Sequence, residues 1–245
     1  MDKYTDKKIL IIGGGTSTLD VYWENLDYDF VWTCNDFYLE PRVYNQDIDL
    51  YVLSYMTDLN NPYLRTKLRN SNSKVIIEPL HYRQKAKSEQ FREFKNHINI
   101  PIEKDNFFSI ELHRLSEYQH PSKAAGAAGV CFRMILMALQ TNASTIYFSG
   151  LDGFNEKFTN VHAFTKHPGL KDTDSRRTYK GTQDSYYEIF TKAYEYFLTK
   201  PGYERLQNLG EGFDYNIGTS ISKEHFPLKK EVYEKIMENM GKGSR

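Results

Sequence analysis

Five consecutive residues, Lys8-Ile9-Leu10-Ile11-Ile12, run straight into Gly13-Gly14-Gly15-Thr16-Ser17, and this junction restricts the fold more than any other stretch of the chain. A strand that is apolar at almost every position has no face for water, so it belongs in a parallel sheet covered on both sides. The glycines after it let the backbone turn tightly and come close to a neighbour or a ligand. A helical stretch at about 18–25 and a second apolar run, Asp29-Phe30-Val31-Trp32-Thr33-Cys34, complete a βαβ start. Further strands are predicted at 48–54 and at Lys74-Val75-Ile76-Ile77-Glu78, with a helix at 62–69 between them. This alternation predicts an α/β fold, a single Rossmann-like, doubly wound and mostly parallel sheet with helices on both faces and its ligand at the carboxyl ends of the strands.

The later chain extends the pattern. Residues 84–97 read as a charged, exposed helix and 107–112 as a short strand. In 129–140, Val130, Phe132, Met134, Ile135, Leu136, Met137 and Leu139 make a helix apolar on nearly every side, which places it at the centre of the fold. Thr145-Ile146-Tyr147-Phe148-Ser149-Gly150-Leu151-Asp152-Gly153 reads as a strand opening into a glycine-containing loop, a second strand-end site. The polar stretch 153–183 lacks periodicity, as a lid or binding loop does. An aromatic helix at 183–199 carries Tyr186, Phe190, Tyr194 and Phe197 as a packing face. A C-terminal amphipathic helix at 228–241 reads as a solvated terminal helix, with peripheral membrane contact as the alternative.

The 245 residues suit one such domain. Lys+Arg and Asp+Glu each total 32, so no net field draws the chain to nucleic acid, which is not expected as a partner. The two cysteines, Cys34 and Cys131, lie far apart in apolar runs, which fits a reducing compartment rather than a disulfide framework. The opening Met1-Asp2-Lys3-Tyr4-Thr5-Asp6-Lys7-Lys8 does not read as a signal peptide, so the expected location is cytoplasmic. A homo-oligomer stays open. There is neither a Gly-x-Ser-x-Gly elbow nor a Walker A lysine signature, which removes the hydrolase and P-loop readings.

The candidate site starts at the glycine turn, where the backbone and the N-terminus of a following helix suit an anion. The dinucleotide fingerprint is incomplete, since its third glycine would fall on Thr18. A tight turn without ligand is the competing reading. The second strand closes on Asn35-Asp36, where an NAD-binding fold places an acid for the ribose. Asp36 can serve as that acid. Asn35 both donates and accepts, so it can read a ribose or a base edge, and its plainer role is to cap the turn.

Together these segments resemble the bacterial sialyltransferases that use CMP-sialic acid, glycosyltransferases with one Rossmann-like domain. Where that family has a Gly-Asn-Gly-Pro-Ser-Leu turn, this chain has Gly13-Gly14-Gly15-Thr16-Ser17-Thr18-Leu19. The family's Cys-Asn-Gln-Phe-Tyr is matched by Cys34-Asn35-Asp36-Phe37-Tyr38. Its Ser-Gly-Val and Tyr-Leu-Ser-Gly-Ile-Asp are matched by Ala128-Gly129-Val130 and Tyr147-Phe148-Ser149-Gly150-Leu151-Asp152. The resemblance covers roughly 8–54 and 125–155. It implies a CMP-sugar donor held around Gly13–Ser17, Asn35 and Gly126–Gly129, with Ser149 and Gly150 at the adjoining strand end. It also implies metal-independent transfer to a glycan or glycolipid hydroxyl, with the nucleotide-sugar as a substrate and no separate cofactor.

The departures are specific. Gly14 replaces the family's turn asparagine and Ala128 its helix-start serine, leaving Thr16, Ser17, Ser122, Lys123 and backbone N–H groups to hold the donor. The family's base is a histidine shortly before the last long helix, where this chain reads Tyr179-Lys180-Gly181-Thr182-Gln183-Asp184. His162 and His167, earlier in the predicted lid, are the candidate bases, with Asp152 as the alternative base or nucleophile. Arg176, Arg177 and Lys180 form a lid cluster able to clamp a diphosphate or a sugar carboxylate. The rival readings are a pterin-type pyrophosphokinase, an NAD-dependent oxidoreductase and a non-catalytic nucleotide-binding protein.

Overall fold

The structure, a computed structural model, describes residues 3–15, 17–18, 21, 23–36, 46–53, 57–77, 85–97, 102–104, 129–151, 201–210 and 219–220. Its strands are β1 (Lys8–Ile12), β2 (Phe30–Cys34), β3 (Leu50–Leu53), β4 (Lys74–Ile77), β5 (Ile102–Lys104), β6 (Thr145–Ser149), β7 (Leu206–Asn208) and β8 (Thr219–Ser220). They form one eight-stranded sheet in the order β5-β4-β3-β2-β1-β6-β7-β8. Every described pairing is parallel, so the sheet is fully rather than mostly parallel among these residues. The register sets Ile11 opposite Trp32 on one side and Phe148 on the other.

The apolar runs end where the sequence placed them, at the middle of the sheet. Ile9, Leu10, Ile11 and Ile12 are fully buried, as are Tyr51, Val52 and Leu53 of β3, because central parallel strands are covered on both faces. Helix α1 (Pro62–Arg69) begins for local reasons: the Asn61 side chain accepts the Tyr63 N–H at 2.9 Å and Pro62 occupies the first turn. Its Leu64 and Leu68 are buried one turn apart. Helix α2 (Lys85–His97) buries Phe94. Helix α3 (Gly129–Leu139) packs on β1, β2, β3 and β6 and buries Val130, Cys131, Met134, Ile135, Ala138 and Leu139, pairs recurring every four residues. α1 and α2 contact each other, and the right-handed crossover rule expects them on one face, with α3, whose connection crosses the sheet in the opposite direction, on the other.

Two expectations are corrected. After the glycine turn no α-helix is present among the described residues: Thr18 N bonds Gly15 O, Val21 N bonds Thr18 O and Leu26 N bonds Trp23 O, all three-residue steps, with a 3₁₀ turn at Trp23–Asn25. The sequence also missed β5, β7 and β8, which span only two or three residues each and are too short to show periodicity. The strand expected at 107–112, the helices at 183–199 and 228–241, and the lid at 153–183 lie outside the described residues. No helix among the described residues is long and apolar enough to cross a membrane.

The amino edge of the sheet is closed by one guanidinium. Arg205, in the 3₁₀ turn before β7, donates to the carbonyls of Leu139, Thr141 and Ala143 at 2.7, 2.9 and 2.6 Å, and to Gly202 at 3.1 Å. Leu139 O is one of the carbonyls left over at the end of α3, and Thr141 and Ala143 lie in the loop that follows it, so Arg205 ties the end of that helix and its exit loop to the start of β7. Arg205→Ala should cost about 2–4 kcal/mol in urea unfolding, and Arg205→Lys should recover only part of this, because an ammonium cannot span the fan of carbonyls. At the amino end of β3, burial pushes the Asp49 carboxyl above its ordinary 3.8 while the Val31 N–H bond opposes the shift. A carboxyl raised on folding favours the fold most below its unfolded pKa, and this contribution is lost as pH rises through the folded value. Asp49→Asn should therefore flatten the fall in stability as pH rises from about 4, read from denaturation midpoints across that range.

Candidate nucleotide site at the strand switch

The strand order reverses between β1 and β6: successive strands move outward from β1 to β5, and the chain then crosses back to pair β6 on the other side of β1. At such a switch the loops leave in opposite directions, and α/β folds bind ligands in the crevice outside those carboxyl ends. Gly13–Gly15 follow β1 and Gly150 follows β6, so the two segments singled out from the sequence meet here. The α3 N-terminus reaches the same level. Asn142 and Ser144, just after α3, bond Asp6 and Lys7 at the amino edge, and the helix's 11 residues span about 16 Å, the length of the five-residue β1. Gly129 therefore stands at the carboxyl edge.

The glycines prove to serve the contact between β1 and β6. Gly13 N donates to Ser149 O at 2.8 Å and Gly15 N to Gly150 O at 3.0 Å, which extends the β1–β6 ladder into the turn. A Cβ on Gly13 would lie 2.7 Å from the Ser149 carbonyl oxygen, and one on Gly150 2.2 Å from the Gly13 carbonyl oxygen. Gly150 also has φ +70°, a left-handed conformation open to glycine without penalty. The neighbouring hydroxyls complete the joint. Thr18 Oγ1 donates to Gly13 O at 2.7 Å and lies 3.2 Å from Ser149 Oγ, and Ser17 Oγ accepts from Gly150 N at 3.3 Å. Ser17, Thr18 and Ser149 are all buried. A Cβ on Gly210, beyond β7, would approach Ser17 Oγ to 2.5 Å, so three strand ends converge on this serine.

The turn's backbone N–H groups at Gly13 and Gly15 are thus engaged by β6, and β2 lies on the other side of β1. There Asn35 stands at the end of β2 with φ +49°, a conformation that asparagine tolerates better than most residues. Asn35 and Asp36 are half-buried. The Asn35 side-chain oxygen accepts from Thr57 Oγ1 at 3.2 Å. Thr57, Asn208 and Gly210 were missed by sequence reading: Thr57 and Gly210 matter through Asn35 and Ser17, distant in the chain, and Asn208 through the Gly210 N–H that its side chain accepts at 2.9 Å. Thr16, Ser122, Lys123, Gly126, Ala128, Asp152, His162 and His167 lie outside the described residues. The described residues hold no group of His, Cys, Asp and Glu side chains suited to a metal ion.

Comparison with solved structures finds this fold in sialyltransferases. The chain is similar to the monofunctional α-2,3-sialyltransferase Cst-I from Campylobacter jejuni, at 14% identity, 99% of this chain, 97% of that chain and a TM-score of 0.51. It is similar to sialyltransferase CST-II in complex with trisaccharide acceptor and CMP, at 17% identity, 94% and 98% coverage and a TM-score of 0.52. It is also similar to CstII from Campylobacter jejuni in complex with CMP-3FNeuAc, at 15% identity, 95% and 99% coverage and a TM-score of 0.54. At these identities the likeness is one of fold. No protein-family model and no curated protein sequence matches the chain.

Gly150→Ala should cost more than about 3 kcal/mol or prevent folding, because strain at positive φ adds to a clash with backbone. Thr18→Val keeps the shape, loses the hydroxyl's bonds and should cost about 1–3 kcal/mol. Asn35→Ala should be less stable than Asn35→Gly by about 1 kcal/mol, the left-handed penalty, when both are compared by chemical denaturation.

Proposed function

We propose that this chain is a glycosyltransferase that moves a sialic-acid-like sugar from a CMP-activated donor to a glycan or glycolipid hydroxyl. The observation that carries the reading is Asn35. It stands in a left-handed turn at the carboxyl end of β2, beside the strand switch, in a fold shared almost end to end with proteins named as sialyltransferases, some of them solved with CMP or a CMP-sugar analogue. In this reading the nucleotide lies over the β1–β2 side of the switch. The Asn35 amide and Asp36 contact the nucleoside, and the α3 N-terminus at Gly129 lies towards the phosphate. Thr16, Ser122, Lys123, Gly126 and Ala128 complete the donor site. The 153–183 segment is the lid that keeps water from the activated sugar, whose hydrolysis is the competing reaction.

In the transfer step the acceptor oxygen forms a bond to the anomeric carbon as the bond from that carbon to the phosphate oxygen breaks. CMP leaves with the electron pair. The acceptor's proton passes to His162, since an imidazole ring nitrogen can accept a proton from a hydroxyl. His167 is the alternate base, and Asp152, following β6, lies beside the transferred sugar. The turn at Gly13–Gly15 acts as the floor of the site by holding β1 to β6.

Calorimetric titration should show binding of CMP in preference to UMP and NADH, and absence of CMP binding by the folded protein would remove the donor assignment. With a CMP-sialic acid donor, His162→Ala should lower transfer about 10²–10⁴-fold without changing CMP affinity. Transfer should persist in excess chelator.

A further inference from the structure

We infer that Thr57 is a positioning residue, which holds the Asn35 carboxamide in the orientation that meets the nucleoside; this rests on the proposed donor site. Asn35 sits at the exit of a strand, where a side-chain amide on a short stalk would sample several rotamers. Thr57 is 1% exposed and its hydroxyl donates to Asn35 Oδ1 at 3.2 Å. The bond therefore fixes one end of the amide from within the protein.

What makes Thr57 an anchor is the loop that carries it. Asp58 accepts the Gln90 Nε2 of α2 at 2.8 Å and the Asn60 N–H at 3.0 Å. Asn61 caps α1, and Arg65 of α1 reaches back to Leu59 O at 2.9 Å and Asn60 Oδ1 at 2.5 Å. The 57–61 loop is thus clamped by both helices on its face of the sheet. Ordering of the amide occurs on folding rather than on binding, and a preordered contact saves the cost of immobilising a side chain when the ligand arrives. Thr57 has no need to touch the nucleotide to affect its affinity.

Thr57→Val removes the hydroxyl and keeps the buried shape, whereas Thr57→Ser keeps the hydroxyl. In the ligand-free protein, the Asn35 side-chain amide signals, assigned with Asn35→Ala, should move towards exposed-asparagine values in Thr57→Val and hold their wild-type positions in Thr57→Ser. CMP affinity should fall about tenfold in Thr57→Val and less than about twofold in Thr57→Ser, with the melting temperatures of both near wild type. In an Asn35→Ala background the valine change should have no further effect on CMP, because its influence passes through the amide. Unshifted Asn35 amide signals in Thr57→Val, or an undiminished valine effect in the Asn35→Ala background, would overturn the inference. If wild-type protein fails to bind CMP, the donor reading falls, and the amide signals still decide whether Thr57 positions Asn35.

Discussion

Two backbones approach each other at Gly13 and Gly150 more closely than any side chain would permit, and the carboxyl edge of the sheet is organised around that approach. It lets the β1–β6 ladder run past the ends of both strands. The N–H groups that a glycine turn often presents to phosphate are here drawn into the sheet. Thr18, Ser17 and Ser149 then fill the joint with short hydroxyls, each bonded within the protein. Unpaired, such groups would be costly at this depth. The strand switch is in this way joined tightly on the β6 side, with the Asn35 turn on the β2 side.

The opposite edge is held by a different device. Arg205 holds the last carbonyl of α3 and two carbonyls of the loop after it, and so couples the end of the central helix to β7 across more than sixty positions of chain. With its C-terminal end fixed there, α3 points its N-terminus at the carboxyl edge, where Gly129 begins it. The two joints act on the two ends of the same layer, one holding strands together and the other holding the helix against them. The Asn35 turn stands at the carboxyl end of β2, bonded through Thr57 to the clamped 57–61 loop.

Much of this was legible in the chain. The strands at Lys8–Ile12, Phe30–Cys34 and Thr145–Ser149, and the helices at Pro62–Arg69 and Gly129–Leu139, lie within a residue or so of where apolar runs, caps and glycines put them. Asn35 was recognisable as a turn residue and as a candidate ligand contact, and both roles draw on the same short amide. The helix expected after the glycine turn was not formed in the described residues, because Thr18 spends its hydroxyl on the Gly13 carbonyl and the backbone there bonds in three-residue steps. Strands of two or three residues, such as Leu206–Asn208 and Thr219–Ser220, carry no period to detect and exist only through their neighbours.

The sequence by itself determined that a fully buried parallel sheet would form and that its first strand would end in a turn requiring glycine, since solvent exclusion and backbone freedom are local properties of residue type. Only the tertiary structure decided what the glycines are for. Their partners, Ser149 and Gly150, lie more than 130 positions away, and a hydrogen bond's destination is not encoded in the donor. The same holds for Asn35: its left-handed turn suits asparagine itself, whereas the threonine hydroxyl bonded to its amide comes from the loop before α1, 22 positions away.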